Sequence, residues 1–412
     1  MRVLWVTNVP LPEASILLGE LPSPFGGWLI NSSMLISKLD NLDLTISFPS
    51  NKLQKINGSS MKYYTFNNNI NDIEKDFNHI LNEVNPDLVH IYGTELPHTL
   101  TVIKICKKQN KKVIISIQGL VSTIAEHYLS GIPYKIQKNY TFRDFIKRDN
   151  IIQQKNKFYQ KGLLEIEAIK NVEHIIGRTS FDRLCINNIN PNANYYHCNE
   201  ILRSCFYDYK WSSTKIEKYS IFVSQGTYTI KGLHYMIKAL PIILKKYPST
   251  KMYVSGGNIF KFATLKNKLK ITTYAKYINK LINYYNVENS IEFIGLLNEK
   301  EMCKRYLKSN VFVCPSIIEN SPNSLGEAML LGVPCVASYV GGIPDLINHN
   351  DEGYLYQHDA PYMLASYICE IFQNDNIAKK ISNNARERAI RTHDQVINTN
   401  KLHEIYTSIY QK

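Results

Sequence analysis

Two doubly wound α/β domains are what this 412-residue sequence predicts. The length exceeds one ordinary hydrophobic core and sets a prior of two domains of roughly 150–200 residues. Short runs rich in Val and Ile, most of them ending in Gly, Ser or Asn, recur along the chain, with longer amphipathic stretches between them. Continuous apolar strands alternating with helices suit parallel sheets covered on both faces. In such sheets ligands sit beyond the carboxyl ends of the strands, so the loops just after each run carry the functional information.

In chain order, the first half offers "RVLWVTN", "LDLTISF", "PDLVHIYG", "KVIISIQG" and "EHIIGRTS" as strands. The opening "MRVLWVTNVPLP" has one early charge, a short apolar run and then prolines, and reads as a first strand instead of a secretory signal. The second half offers "YSIFVSQG", "KMYVSGG", "IEFIGLL", "NVFVCPS" and "VPCVAS". Between the halves, Cys205 to Ser220 is polar and aromatic without periodicity, which places the boundary there. Residues 1–205 then form one domain and 206–394 the other. Val396, Leu402, Ile405, Ile409 and Tyr410 recur at helical spacing, so 395–412 is read as a final amphipathic helix packing back on the first domain.

Composition excludes several classes. A hydrophobic share of 44% argues against global disorder. No apolar run approaches the roughly 18–20 residues of a membrane span. The eight cysteines form no C-x-x-C pair and have no zinc-like spacing with histidine, which suggests free thiols and a cytoplasmic protein. No recognised nucleic-acid module occurs, so no nucleic-acid partner is expected.

The net charge of +13 is uneven. From Lys218 to Val287 there is no Asp or Glu, while lysines recur throughout. This is either a solvated surface or an attraction for an anionic ligand or membrane face. From Tyr134 to Lys161, Lys and Arg interleave with Phe and Tyr. That pattern is either a solvated helix pair or a surface resting on an anionic membrane, at the inner face of the cell membrane.

The most informative stretch is "SIIENSPNSLGEAMLLGVPCVASYVGGIPDLI", Ser316 to Ile347. It reads as a loop after a buried strand, a short helix ending at Gly332, another strand and a Gly-Gly loop. Ser324 followed by Glu327 fits a capping box, S-x-x-E. The amides of such a helix start also make an anion site. Pro322 stiffens the approach, and Gly326 keeps the first turn free of bulk. Glu319 sits in the loop with no evident structural partner. Two carboxylates flanking a phosphate-ready helix start can accept from sugar hydroxyls on either side of it.

Glu319 and Glu327 in an E-x7-E pattern, followed by "GGIPDLI", resemble the retaining glycosyltransferases of family 4. The resemblance implies a GT-B fold, two Rossmann-like domains facing a central cleft. It covers nearly the whole chain. "FVSQGTYTIKGLHYMIKAL" resembles the start of the family's donor domain, with Lys231 and Gly232 matching a Lys-Gly pair beside the diphosphate, and "MYVSGG" and "DEGYLY" resemble later strands. "FGGW", Phe25 to Trp28, resembles the glycine loop after the first strand; "NPDLVHIYGTE" and "IISIQGL" resemble further units of an acceptor domain.

The resemblance implies that Glu319 lies by the donor sugar, that Glu327 holds the ribose, and that the amides around Asn323, Ser324 and Leu325 hold the diphosphate. Gly26, Gly27, Gly226 and Gly256 would line the donor loops. Two departures stand out. The arginine usually found before the Lys-Gly pair is replaced by Ser224-Gln225-Gly226, and Gln118 stands where many members carry histidine. Candidates for acceptor contact or a second cation are Trp28, His127, Arg178 and Arg203.

These residues imply transfer from a nucleotide-diphosphate sugar, UDP- or GDP-linked, to a glycan or lipid-linked glycan in surface-polysaccharide synthesis. No Asp-x-Asp occurs, so no metal and no cofactor beyond the nucleotide sugar is expected. The leaving charge would be met by Lys231 and the helix start, and the leaving phosphate would take the acceptor's proton, a scheme that tolerates Gln118 as a catalytic contact. Competing readings are a sugar-nucleotide epimerase or hydrolase of the same fold, or a non-enzymatic binder of anionic polymers.

Overall fold

The computed structural model of the chain describes residues 1–23, 26–257 and 269–411. Phe25 and the lysines at 261, 266 and 268 lie outside the described residues. The chain divides into two compact units, the first made of Met1–Ser122, Gln160–Arg203 and His393–Lys412, the second of Thr123–Tyr159 and Ser204–Thr392.

Unit 1 is built on an eight-stranded sheet in the order β3-β4-β2-β1-β5-β6-β7-β8. Its strands are β1 (Arg2–Val6), β2 (Asp43–Ser50), β3 (Gln54–Asn57), β4 (Lys62–Asn67), β5 (Leu88–Tyr92), β6 (Lys112–Ser116), β7 (His174–Gly177) and β8 (Asn194–His197). All neighbours pair parallel except β3 with β4. The antiparallel hairpin and β8 lie at the edges and lack the Val/Ile runs of the central strands, so the sequence pattern passes over them. One core joins Leu4, Val6, Val89, Ile91 and Ile115 to the helices Ile70–Val84 and Pro97–Lys108. The other joins Val3, Trp5, Ile46 and Ile114 to Leu29 and Ile36 of helix Gly27–Ile36 and to Leu402, Ile405, Tyr406 and Ile409 of helix Gln395–Gln411. Trp5 Nε1 donates to Tyr406 Oη at 2.9 Å, fastening that last helix to the sheet.

Unit 2 carries six parallel strands, β9 (Ser220–Val223), β10 (Lys251–Ser255), β11 (Ile291–Gly295), β12 (Val311–Cys314), β13 (Cys335–Ser338) and β14 (Tyr354–Tyr356). Their order is β11-β10-β9-β12-β13-β14, the arrangement of dinucleotide-binding sheets. β9, β12 and β13 are wholly buried, as their unbroken apolar runs require. The order reverses between β9 and β12, so the loops after these two strands diverge and leave a crevice at the sheet edge.

Segment 123–159 corrects the expected boundary, which gave all of 1–205 to the first domain. Side chains tie it to unit 2. Asp144 accepts from Thr273 N at 2.7 Å and from the Thr273 hydroxyl. Thr141 Oγ1 donates to Ile271 O at 2.7 Å, and Thr229 Oγ1 to Tyr128 O at 2.9 Å. These bonds join residues roughly a hundred or more positions apart, and no local periodicity reports them.

Candidate functional site at the sheet edges

The crevice of unit 2 is built from two loops. After β9 the chain passes Ser224-Gln225-Gly226 and makes a 3-10 turn, Thr229–Lys231. Gly232 follows at φ +67, and a Cβ there would lie 1.7 Å from Pro315 O. Only glycine lets the turn close onto the loop after β12. Ile317 N donates to Ile230 O at 2.8 Å, completing that junction. The result brings Lys231 and Glu319 together as an ion pair, Nζ to Oε1.

Glu319 is held from three sides. Ser316 Oγ donates to the same Oε1 at 2.9 Å. Ser316 O in turn accepts from the Ser338 hydroxyl on β13. Gly341 (φ +52) passes so close that a Cβ would lie 1.9 Å from Glu319 O, and Gly342 N donates to that oxygen at 3.1 Å. The Gly-Gly loop therefore exists to seat the backbone of Glu319. Burial opposes the Lys231 charge, but the Glu319 carboxylate outweighs it through attraction and a hydrogen bond, holding Lys231 above the usual lysine range. Beneath the pair, burial pushes the Cys314 thiol up to about 11, with Glu319 adding to it, so this cysteine is a neutral neighbour.

The helix after Glu319 runs Asn323–Leu331 with Pro322 as its N-cap and Gly332 (φ 76) as its C-cap. This corrects the capping box expected from Ser324 and Glu327. Both lie inside the helix, because the extended Pro322 (φ −72, ψ 113) takes the cap position. Leu325 N donates to Pro322 O at 2.9 Å, so that amide is committed. The N–H groups of Asn323 and Ser324 lie in the first turn, at the positive end of the helix dipole. Glu327 is buried in the first half of the helix. The loops after β9 and β10 meet at glycines. Gly256 (φ +129) packs by Thr227 and Gly226, and Gly226 sits where a Cβ would press on Leu233 and Val254.

Unit 1 has its own cavity of about 30 Å³ at the carboxyl ends of β5 to β8, lined by Trp28, His90, Ser116, Gln118, Arg178 and Glu200 among others. That volume holds a water or two. Gly26 (φ 78) starts helix Gly27–Ile36, and Gly27 lies against the Arg203 side chain, 2.7 Å from its Cδ to a built Cβ. Trp28 packs on Tyr92 with ring centroids 5.3 Å apart.

Arg178 is not a spare cation. Its Nη1 pairs with Glu200 at 2.8 Å, and its Nη2 donates to Ile117 O (3.2 Å) and Gln118 O (3.0 Å). The guanidinium thus positions the Gln118 backbone. From the other end, the buried Glu165 accepts from Val121 N, Ser122 N and the hydroxyls of Thr94 and Ser122. His90 is fully buried, bonded to Tyr406 and to Ser116 Oγ, and burial pushes its pKa down to about 3. His127 is exposed, belongs to unit 2 and lines no described cavity. Ser316, Ser338, Glu165 and Glu200 carry no motif in the sequence; only the fold reveals what they hold.

Among the described residues no group of three or more His, Cys, Asp or Glu is placed to hold a metal ion, and no helix is long and apolar enough to cross a membrane.

Residues 207–388, all within unit 2, match the family model of glycosyl transferases group 1. An uncharacterized glycosyltransferase of Methanocaldococcus jannaschii is 28% identical over 171 residues, 42% of this chain and 40% of that protein. The putative colanic acid biosynthesis glycosyltransferase WcaL of Salmonella typhimurium is 27% identical over 172 residues, 40% of this chain and 39% of that protein. The chain spans less than half the length of these curated relatives. Among solved structures, sucrose-phosphate synthase from Thermosynechococcus elongatus superposes with a TM-score of 0.74 at 14% identity over the full length of both chains. Anabaena HepE in complex with UDP-glucose superposes with a TM-score of 0.70 at 15% identity, covering 99% of this chain and 100% of that one. With the two sheets, parallel but for the β3–β4 pair, these likenesses make the fold GT-B.

Proposed function

We propose that this chain is a retaining glycosyltransferase of family 4 that moves a sugar from a nucleotide-diphosphate sugar to a glycan or lipid-linked glycan. The observation that carries the reading is the meeting of Lys231 and Glu319 at the switch point of unit 2, inside the segment that matches the group 1 glycosyl transferases. An ammonium together with a helix start makes a diphosphate site in physical terms: point charge on one side, backbone N–H groups on the other.

In this reading the diphosphate takes Lys231 and the amides of Asn323 and Ser324. Glu319 accepts from the sugar hydroxyls and Glu327 from the ribose, while Gly226 and Gly256 keep the loops close. Unit 2 is the donor domain and unit 1 the acceptor domain. Trp28 and Gln118 at the unit 1 cavity are the acceptor contacts. Negative charge grows on the leaving oxygen during transfer, and Lys231 opposes it from a fixed position, which is where electrostatic catalysis gains most. The buried His90 has both ring nitrogens engaged, by Tyr406 and Ser116, and a pKa pushed down to about 3, which makes it too weak a base for the acceptor. The leaving phosphate removes the acceptor's proton instead.

HepE, in complex with UDP-glucose, supports a UDP-sugar donor; the name of WcaL, a putative colanic acid biosynthesis glycosyltransferase, supports a place in polysaccharide biosynthesis. A location in the cytoplasm at the inner membrane face belongs to the same proposal. No metal or further cofactor enters the scheme, so transfer survives excess EDTA; strict magnesium or manganese dependence would contradict it. The deciding experiment incubates the chain with radiolabelled UDP- and GDP-sugars, with and without lipid extract, and reads the anomeric configuration of the product. A retained anomer on a lipid-soluble product supports the proposal. Free sugar or an epimerised nucleotide sugar would point to the hydrolase or epimerase reading.

A further inference from the structure

Helix Phe142–Lys147 in unit 2 is one and a half turns long, yet it is pinned firmly on one side. Thr141 Oγ1 accepts from Asp144 N at 3.1 Å while donating to Ile271 O. Asp144, wholly buried, accepts from Thr273 N and from the Thr273 hydroxyl, and pairs with Arg143 at 2.9 Å. Arg143 also reaches Asp149 at 3.1 Å. With its inner face fixed in this way, the helix turns Phe142, Phe145 and Ile146 outward. They stand at i, i+3 and i+4, one face, and are 60%, 74% and 61% exposed.

The chain on either side of this helix is cationic. Lys135, Lys138, Lys147 and Arg148 are all exposed, and Lys138 Nζ lies 4.3 Å over the ring of the exposed Tyr134. The acids in the segment are already matched: Asp144 by its buried bonds and Arg143, Asp149 by Arg143 and Lys157. A face of three large apolar side chains held in water is costly unless it is covered in use.

We infer that helix Phe142–Lys147 is a docking wedge for an anionic lipid bilayer. Phe142, Phe145 and Ile146 enter the acyl boundary while Lys138, Lys147 and Arg148 meet the headgroup phosphates. The charge pattern selects this occupant: an exposed apolar face flanked by exposed cations, with the nearby acids already paired, fits a negatively charged surface into which rings can sink. The buried Asp144 is a positioning residue that aims the wedge. The inference stands on this helix alone and is independent of the sugar-transfer reading.

The test is flotation of the full chain with vesicles of phosphatidylglycerol and phosphatidylcholine, against phosphatidylcholine alone, at low and high salt. The chain is expected to float with the anionic vesicles at low salt and to be released by high salt. Phe145→Ser with Ile146→Ser should lower the vesicle partition coefficient by about tenfold or more, and so should Lys147→Glu with Arg148→Glu. All four positions are exposed, and circular dichroism with thermal melting confirms that the variants fold. No flotation at low salt, or equal flotation of wild type and variants, overturns the proposal. So does a concentration-dependent dimer that both double variants abolish without vesicle binding, because the occupant would then be a second copy.

Discussion

Two ion pairs stand at the carboxyl ends of the two sheets, and they are built for opposite purposes. Arg178 and Glu200 in unit 1 have side chains only 5% and 10% exposed, and the guanidinium also serves two backbone carbonyls. Lys231 and Glu319 in unit 2 are 25% and 14% exposed, and the ammonium is a single point charge facing one carboxylate oxygen. Arginine's fork fixes a geometry; lysine's ammonium can exchange one oxygen for another. The first pair shapes the Gln118 loop and stays closed. Glu319 keeps the second pair's lysine charged and in place; in the proposed donor site it is an internal substitute for the diphosphate, which a phosphate would take over. A cation seen in sequence near a site is thus not a cation available to the site, which is why Arg178 cannot stand in for the arginine missing before Lys231.

Acid should separate the two units most strongly. His90, His98 and His393 in unit 1 are buried, and burial lowers their pKa values to about 3, 4 and 4. His234 in unit 2 is lowered to about 3. Histidine titrates near 6.5 when unfolded, so between that value and 3–4 the unfolded chain binds more protons than the folded one. Stability from these groups is complete above about pH 6.5 and is lost as the pH falls toward 3–4. From pH 7 to 5 each costs on the order of 2 kcal/mol, three in unit 1 against one in unit 2. Hydrogen exchange at the two pH values should show the core of unit 1 losing protection first. Equal loss in both units would break the comparison.

Removing Arg178 comes next. Arg178→Met takes the cation from a buried carboxylate and a donor from two carbonyls, and should cost about 3–5 kcal/mol in urea unfolding. A loss below about 1 kcal/mol would place Arg178 among ordinary surface charges.

Lys231→Ala should do the reverse. Solvent reaches Glu319, so stability should change by no more than about 1 kcal/mol, while turnover falls by about a hundredfold, as for loss of one oxyanion donor. Lys231→Arg should restore only part of the rate, because the wider guanidinium meets the phosphates differently. Unchanged turnover in Lys231→Ala would remove Lys231 from the site.

Much of this was legible in the residues. The buried strands of both sheets are apolar runs, and β9, β12 and β13 fall where "YSIFVSQG", "NVFVCPS" and "VPCVAS" place them. Glu319 and the Gly-Gly loop stand out in the sequence because turn-rich loops after apolar strands are where a parallel sheet presents function; Lys231 stands out only through the resemblance to the Lys-Gly pair of family 4. What was hidden depends on long-range bonds. Nothing local shows that Asp144 reaches Thr273 and carries 123–159 into unit 2, or that Glu165 clamps the turn after Gln118. The Ser324–Glu327 capping box failed for a local reason: proline two residues earlier already had the extended backbone a cap requires.

The central claim, that Glu319 holds a place on Lys231 which a diphosphate takes over, is tested most directly by titrating UDP calorimetrically into the wild type, Glu319→Gln and Lys231→Ala. Gln keeps the shape and the hydrogen bond but removes the competing charge. Glu319→Gln is expected to bind bare UDP about threefold to tenfold more tightly than wild type, a difference near 1 kcal/mol, although it transfers sugar poorly, and Lys231→Ala to bind UDP more weakly. UDP affinity that is unchanged or weaker in Glu319→Gln would mean that the pair is as fixed as Arg178 and Glu200, and would contradict the account.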